Sequence, residues 1–86
     1  MSVTVRYAGQ ARDAAGVASE SLEADSIDAL LRVLAERRPS LKPLLLGEDG
    51  RPRPSLLVAV GDAQARLDAP LRAGDVVTIL TPIAGG

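Results

Sequence analysis

Residues 26–38 read Ser-Ile-Asp-Ala-Leu-Leu-Arg-Val-Leu-Ala-Glu-Arg-Arg, and this stretch decides the fold because it has the apolar repeat of an amphipathic helix. Ser26 is predicted to cap the N-terminus, and Pro39 is predicted to stop the helix. Arg37 and Arg38 fall in the last turn, where cations suit the negative end of the helix dipole. The apolar side chains recur at spacings of three and four residues, at Ile27, Leu30, Leu31 and Leu34.

Strands are predicted on both sides of this helix. Residues 2–8 alternate cleanly, with Val3, Val5 and Tyr7 on one face, which is typical of a half-buried strand. Residues 9–16 contain two glycines and are interpreted as a loop. The remaining predictions are a weaker strand over 17–24, a short helical turn over 41–46, a strand buried on both faces over 56–60, a short extended piece over 65–67 and a last strand over 76–80.

This order of elements predicts the α+β class and, within it, a β-grasp fold. Such a fold is a mixed sheet of about five strands with the first and last strands paired at the centre, and the main helix packs across one face. A ferredoxin-like fold needs a second helix of similar quality, and residues 41–46 are too short to supply it. We expect a single domain over residues 1–86 that ends in a flexible tail, residues 81–86.

The composition excludes several classes of function. The 86 residues include no Cys, His, Trp or Phe, and Tyr7 is the only aromatic residue. Nucleophile pairs built on Cys or His, zinc sites built on them, disulfides and aromatic platforms for nucleic-acid bases are therefore excluded. A net charge of -1 gives no electrostatic reason to bind nucleic acid or a membrane.

Motifs for nucleotides, metals and export are not found either. The sequence has no glycine-rich phosphate loop, and its aspartates are scattered at turns and helix ends, so no bound cofactor and no metal are predicted. No charged and apolar leader segment and no long apolar run is present, which predicts a cytoplasmic protein.

The end of the chain carries the strongest functional signal. Residues 81–86 read Thr-Pro-Ile-Ala-Gly-Gly. At an average glycine frequency of roughly 7%, a terminal Gly-Gly pair arises by chance about once in two hundred chains. Glycine has no side chain, so Gly85 and Gly86 can thread a narrow channel and present the terminal carboxylate to another protein. Pro82 biases the base of this arm toward an extended conformation. The alternative is a frayed terminus.

Four segments together resemble the MoaD/ThiS family of ubiquitin-like sulfur carriers, and most closely its branch of molybdopterin synthase small subunits. The resemblance covers the whole chain. The segments are Ala8-Gly9-Gln10-Ala11-Arg12-Asp13-Ala14-Ala15-Gly16, Val58-Ala59-Val60-Gly61, Leu71-Arg72-Ala73-Gly74-Asp75-Val76-Val77 and Pro82-Ile83-Ala84-Gly85-Gly86. The family often has bulky aromatic residues where this chain has Ala8 and Leu80, so a flatter partner surface is implied.

The resemblance implies a carrier that is not an enzyme by itself. A ubiquitin-activating-type enzyme would use ATP to adenylate the Gly86 carboxylate, and a sulfurtransferase would supply persulfide sulfur to give a thiocarboxylate. The large subunit of molybdopterin synthase, in an expected heterotetramer, would then receive the sulfur. Gly85 and Ala84 would form the inserted tail. The residues implied in partner docking are Leu80, Pro82, Ile83, Ala8 and Arg12.

Other functions are compatible with the same fold and tail. Carriers for thiamine or cysteine biosynthesis share the Gly-Gly end. A ubiquitin-like modifier would instead join Gly86 to a lysine of a target protein. A third alternative is a binding module in which the terminus has no role.

Overall fold

The computed structural model describes residues 2–81, which form a five-stranded sheet and three helices. In chain order the elements are β1 (Ser2–Gly9), α1 (Gln10–Ala15), β2 (Ser19–Glu23), α2 (Ile27–Arg37), α3 (Lys42–Leu45), β3 (Leu57–Val60), β4 (Ala63–Gln64) and β5 (Val76–Thr81). Prediction and structure agree on the main helix, on the short helical turn after it and on the two long strands.

The sheet order is β2-β1-β5-β3-β4, with the first and last strands paired at its centre. β1 and β5 run parallel, whereas β1 with β2, β3 with β5 and β3 with β4 are antiparallel. The β1–β5 register starts at Thr4 opposite Val76 and continues to Gly9 opposite Thr81. This mixed sheet with a helix across it confirms the predicted β-grasp fold.

One face of the sheet carries the hydrophobic core. Val3, Val5 and Tyr7 point to this face from β1, as their alternation predicts, and all three are buried. The apolar stripe of α2 packs against them and is also fully buried. Burial of each such side chain contributes roughly 1.5–3 kcal/mol, so the contact between α2 and the sheet stabilises the fold.

Local signals set both ends of α2. The Ser26 hydroxyl oxygen accepts a hydrogen bond from the Ala29 backbone N–H at 3.1 Å, which confirms the predicted N-cap. The helix ends at Arg37, before Pro39, and the Arg38 N–H still donates to the Leu34 carbonyl oxygen at 2.9 Å.

The prediction of a loop over residues 9–16 is wrong, because Gln10–Ala15 form α1. The two glycines that suggested a loop lie at the ends of this helix. Gly9 is the N-cap residue, and Gly16 is the left-handed C-cap with φ 76°, whose N–H donates to the Arg12 carbonyl oxygen. Ala11 and Ala15, four residues apart, are buried against the core and stabilise this short helix.

Three predictions for the later strands also need correction. β3 is not buried on both faces, since Leu57 is 42% exposed, because the helices cover only one face of the sheet. β4 lies at Ala63–Gln64 and not at 65–67, since the tight turn at Gly61 and Asp62 brings Ala63 directly opposite Val60. β5 extends one residue further than predicted, to Thr81, which pairs with Gly9.

Candidate functional site

The site is organised around the last residues of β5, from which the Gly-Gly end continues. Leu80 lies opposite Ala8 on β1 and opposite Leu57 on β3, so the three residues form a row across three strands. Thr81 follows as the final strand residue and is only 4% exposed. The structure therefore brings together two of the predicted docking residues, Ala8 and Leu80, and adds Leu57 to them.

This row borders a shallow depression of about 250 Å³ on the face of the sheet that the helices leave open. Leu57 is 42% and Leu80 is 38% exposed, which is high for large apolar side chains that lie next to each other. We call this surface the open face; it is lined by Leu57, Val58, Ala59, Gln64, Thr78 and Leu80. It has no charged side chain in its lining, so it suits an apolar partner surface.

Arg12, which was also predicted to dock partners, lies elsewhere. It is exposed on α1 and lines a separate depression with Asp13, Gly16 and Val17. The two depressions share no lining residue. Arg12 therefore lines a different depression from Leu80.

The remaining predicted site residues lie outside the described part of the chain. These are Pro82, Ile83, Ala84, Gly85 and Gly86. Their predicted roles in docking and in carrying the reactive carboxylate stay predictions. What the structure provides is their starting point, the end of β5 at Thr81.

Sequence reasoning missed a polar cluster that joins β1, β2, α1 and the end of α2. Tyr7 on β1 donates a hydrogen bond to Glu20 Oε2 on β2 at 2.6 Å, and Arg38 Nε donates to the same oxygen. Arg38 Nη1 also donates to the Ala15 carbonyl oxygen at 2.9 Å, at the end of α1. Arg38, interpreted from sequence as a helix-end charge, therefore connects α2 to β2 and α1.

The electrostatics of this cluster follow from burial and pairing. Burial favours the neutral form of Glu20, but hydrogen bonds from Arg38 and Tyr7 and the charges of Arg38 and Arg37 outweigh it and lower the pKa of Glu20. Burial, together with the hydrogen bond to Glu20 and its negative charge, raises the pKa of Tyr7. The hydrogen bond to Glu20 raises the pKa of Arg38. Glu20 and Arg38 are therefore held as an ion pair beside a neutral tyrosine.

Within residues 2–81 the protein offers no cluster of side chains that could hold a metal ion. None of the helices in that range is long and apolar enough to cross a membrane.

A comparison with protein-family models decides the family. The model described as the ThiS family matches residues 5–86, almost the whole chain. The chain belongs to the ThiS family. This confirms the family that the four sequence segments indicated, and it identifies the chain as a small ubiquitin-like sulfur carrier of the ThiS/MoaD type, a type that is generally non-catalytic.

Solved structures place this ThiS-family chain among β-grasp proteins of several kinds. SAMP1 from Haloferax volcanii matches with a TM-score of 0.90 at 22% identity over 100% of both chains, which shows the shared fold. The complex of subunits 1 and 2 of molybdopterin-converting factor from Helicobacter pylori matches with a TM-score of 0.67 at 26% identity over 100% of both chains. The BexX/CysO complex from Amycolatopsis orientalis matches with a TM-score of 0.78 at 26% identity, over 98% of this chain and 99% of that chain. No curated protein matches the sequence significantly.

Proposed function

We propose that this chain carries sulfur as a thiocarboxylate at Gly86 and donates it as the small subunit of a molybdopterin synthase. The observation that carries the proposal is the family match, which runs through the terminal glycine pair to Gly86. The composition supports it. A chain without Cys cannot hold a persulfide on a side chain, so the terminal carboxylate is the remaining place for activated sulfur.

The carboxylate of Gly86 must first be made reactive. A terminal carboxyl group has a pKa of about 3.3–3.7 and is ionised in the cell, so it is a poor electrophile. A ubiquitin-activating-type enzyme would join it to the AMP part of ATP and release pyrophosphate. The resulting acyl adenylate has a good leaving group. In this proposal the activating enzyme binds the ATP.

Sulfur transfer then follows as a substitution at the carbonyl carbon. The outer sulfur of a persulfide on the sulfurtransferase attacks this carbon, and AMP leaves. A thiol of the donor system cleaves the new acyl disulfide, so that a protein disulfide forms and Gly86 keeps one sulfur as the thiocarboxylate. The oxygen lost from the carboxyl group leaves with AMP.

The open face is proposed as the surface on which partners recognise the carrier. Leu80 directly precedes Thr81, the last residue of β5, and Leu57 lies opposite Leu80, so a partner that covers both leucines would also hold the tail near its own active site. Removing this apolar surface from water contributes roughly 25 cal/mol per Å². Ala8 has only a methyl group as its side chain beside Leu80, so this edge of the open face is flat.

The choice of molybdopterin synthase as partner rests on the four sequence segments and on the match to the complex of subunits 1 and 2 of molybdopterin-converting factor. The match to the BexX/CysO complex at the same identity makes a partner of that kind the alternative to test. In both cases the proposed carrier chemistry at Gly86 is the same.

The deciding experiment is intact mass spectrometry after incubation with an activating enzyme of the same organism, ATP and a persulfide donor. A carrier gains the mass difference of one oxygen-to-sulfur exchange at Gly86. Ligation to added proteins without this exchange would instead identify a modifier. Lys42 is the only lysine in the sequence, so Lys42→Arg removes the one lysine through which copies of this chain could be joined. No change in mass with any activating enzyme would contradict the proposal.

Partner choice needs a second measurement. The thiocarboxylate form is mixed with the purified large subunit of molybdopterin synthase and its pterin precursor, or with a thiazole or cysteine synthase and the sulfur-accepting substrate of that enzyme. Loss of sulfur from Gly86 only with the molybdopterin synthase subunit supports the proposed pathway. Loss only with one of the others assigns the carrier to that pathway.

A further inference from the structure

The end of β5 leaves no room for a side chain at the end of β1. Gly9, the last residue of β1, is paired with Thr81, the last residue of β5. A Cβ atom added to Gly9 would lie 2.8 Å from the Thr81 carbonyl oxygen and 3.3 Å from Leu80 Cδ1. Gly9 also has φ 65° and ψ -139°, a region that essentially only glycine occupies. Two independent constraints therefore require glycine at this position.

From this geometry we infer that Gly9 is a positioning residue for the terminal glycines. Because it has no side chain, β5 can stay paired with β1 as far as Thr81, and this pairing fixes the backbone direction at Thr81. The inference deepens the proposed function and rests on it, since the direction matters only if Gly86 has to enter a partner's active site.

The α1 side of Gly9 is held firmly. α1 starts directly after Gly9 and packs against both β1 and β5. Its last carbonyl groups are held from outside, because Ser40 Oγ donates to the Ala14 oxygen at 2.7 Å and Arg38 Nη1 donates to the Ala15 oxygen at 2.9 Å. A side chain at Gly9 therefore cannot be accommodated by a simple shift of α1.

On β5 the contact is made by Thr81, the last residue of that strand. Its carbonyl oxygen would lie against the added Cβ atom, and its buried hydroxyl has no hydrogen-bond partner within residues 2–81. Displacement caused by a methyl group at Gly9 would therefore occur mainly at Thr81.

A matched pair of glycine variants separates this role from simple destabilisation. Gly9→Ala and Gly16→Ala both place an alanine at positive φ, at opposite ends of α1. A Cβ at Gly16 would meet nothing within 4 Å, so Gly16→Ala has backbone strain without contact with β5. The measurements are thermal unfolding, amide residual dipolar couplings at Leu80 and Thr81, and the kcat and KM for adenylation by the activating enzyme.

We expect Gly9→Ala to change the couplings at Thr81 and to lower kcat about tenfold or more, since misplacement by about 1 Å can cost on the order of 10²-fold in rate. KM should change little, because the open face remains. Gly16→Ala should lower the unfolding temperature but leave the couplings and kcat close to wild type. Equal losses of kcat in the two variants, or unchanged couplings at Thr81 in Gly9→Ala, would overturn the inference.

If Gly9→Ala does not fold, a second pair of variants, at Thr81 on β5, tests the positioning role. Thr81→Gly loosens the end of the strand, whereas Thr81→Val keeps its β-branched shape. Thr81→Gly should lower kcat more than Thr81→Val does, and equal values would contradict the positioning role. If the wild-type chain is not adenylated at all, the proposed function fails, while the couplings of the folded variants still decide whether Gly9 directs the end of β5.

Discussion

Arg38, directly after α2, and Glu20, on β2, form an ion pair although they are 18 residues apart in the chain. The Glu20 side chain is only 12% exposed, and Tyr7 donates a second hydrogen bond to the same carboxylate oxygen. Arg38 at the same time donates a hydrogen bond to the end of α1, so the pair connects β2 and the end of α2 to α1.

Replacing Glu20 with Gln should therefore destabilise the protein. The variant keeps the size of the side chain but loses the charge, and hydrogen bonds to a charged group are worth roughly 1.5–3 kcal/mol. We expect the free energy of unfolding in urea to fall by about 2 kcal/mol. Asp68→Asn is the control, because Asp68 pairs with Arg66 on the exposed surface and should show no measurable change. An equal effect of the two substitutions would contradict the role of Glu20.

The same carboxylate predicts how stability depends on pH. In the folded state the pKa of Glu20 lies below its ordinary value of 4.5, mainly through Arg38, which overcomes the effect of burial. The unfolded chain then binds more protons in acid, so the stabilisation is present above about pH 4.5 and is lost as pH falls through the folded pKa. Glu20→Gln should lose stability less steeply than wild type below this pH. Parallel curves of unfolding free energy against pH would rule out this contribution.

The open face predicts an effect on partner binding. Leu57→Asp and Leu80→Asp place a charge where an apolar contact is proposed, and loss of a central interface contact costs roughly 2 kcal/mol or more. Each variant should weaken binding to the activating enzyme by a factor of about ten or more, measured by isothermal titration calorimetry. Leu67→Asp is the matched control, since Leu67 is similarly exposed at 40% but does not line the open face. Unchanged affinity for both test variants would exclude this surface.

Removing the buried hydroxyl of Thr81 is expected to raise the stability of the protein. Its side-chain oxygen is buried and has no partner within the described residues, and an unsatisfied buried polar group costs about 1–3 kcal/mol. Thr81→Val replaces the hydroxyl with a methyl group of similar size and should raise the free energy of unfolding by about 1 kcal/mol. Thr78→Val, at a partly exposed position on the same strand, should change stability less. A loss of stability in Thr81→Val would show that the hydroxyl has a bonding partner.

The terminal carboxylate predicts a loss of function without unfolding. Deletion of Gly86, or addition of one alanine after it, changes the group that is adenylated but leaves the core untouched, since every core residue lies before it. Both variants should unfold at the wild-type temperature and show no oxygen-to-sulfur exchange by intact mass spectrometry. Full activity in either variant would contradict carriage at Gly86.

Patterns within single elements were sufficient to predict much of this fold. The alternation of β1 correctly predicted which side chains are buried, and the repeat in α2 and its Ser26 cap predicted the main helix. These signals are local, because a strand or a helix with one buried face must repeat its apolar residues with its own period. The order of the elements then indicated the central pairing of β1 and β5.

Local patterns failed where a residue's environment depends on distant parts of the chain. Gly9 and Gly16 are residues typical of turns, yet they lie at the two ends of α1. The helix forms between them because Ala11 and Ala15 pack against the core. The apolar run of β3 predicted burial on both faces, yet Leu57 stays exposed because no helix covers that side. Arg38 appeared to be a helix-end charge until the fold brought Glu20 to it.

The sequence by itself determined the family, the β-grasp order of elements and the candidate reactive end at Gly86, because periodicity and terminal glycines are properties of the chain alone. Only the tertiary structure decided which apolar residues remain available to a partner and how the last strand ends. Both depend on contacts between residues far apart in the chain, such as Leu57 beside Leu80 and Gly9 against Thr81. Packing of the helices on one face leaves the other open, and a glycine at the end of β1 lets the strand that leads to Gly86 lie against it.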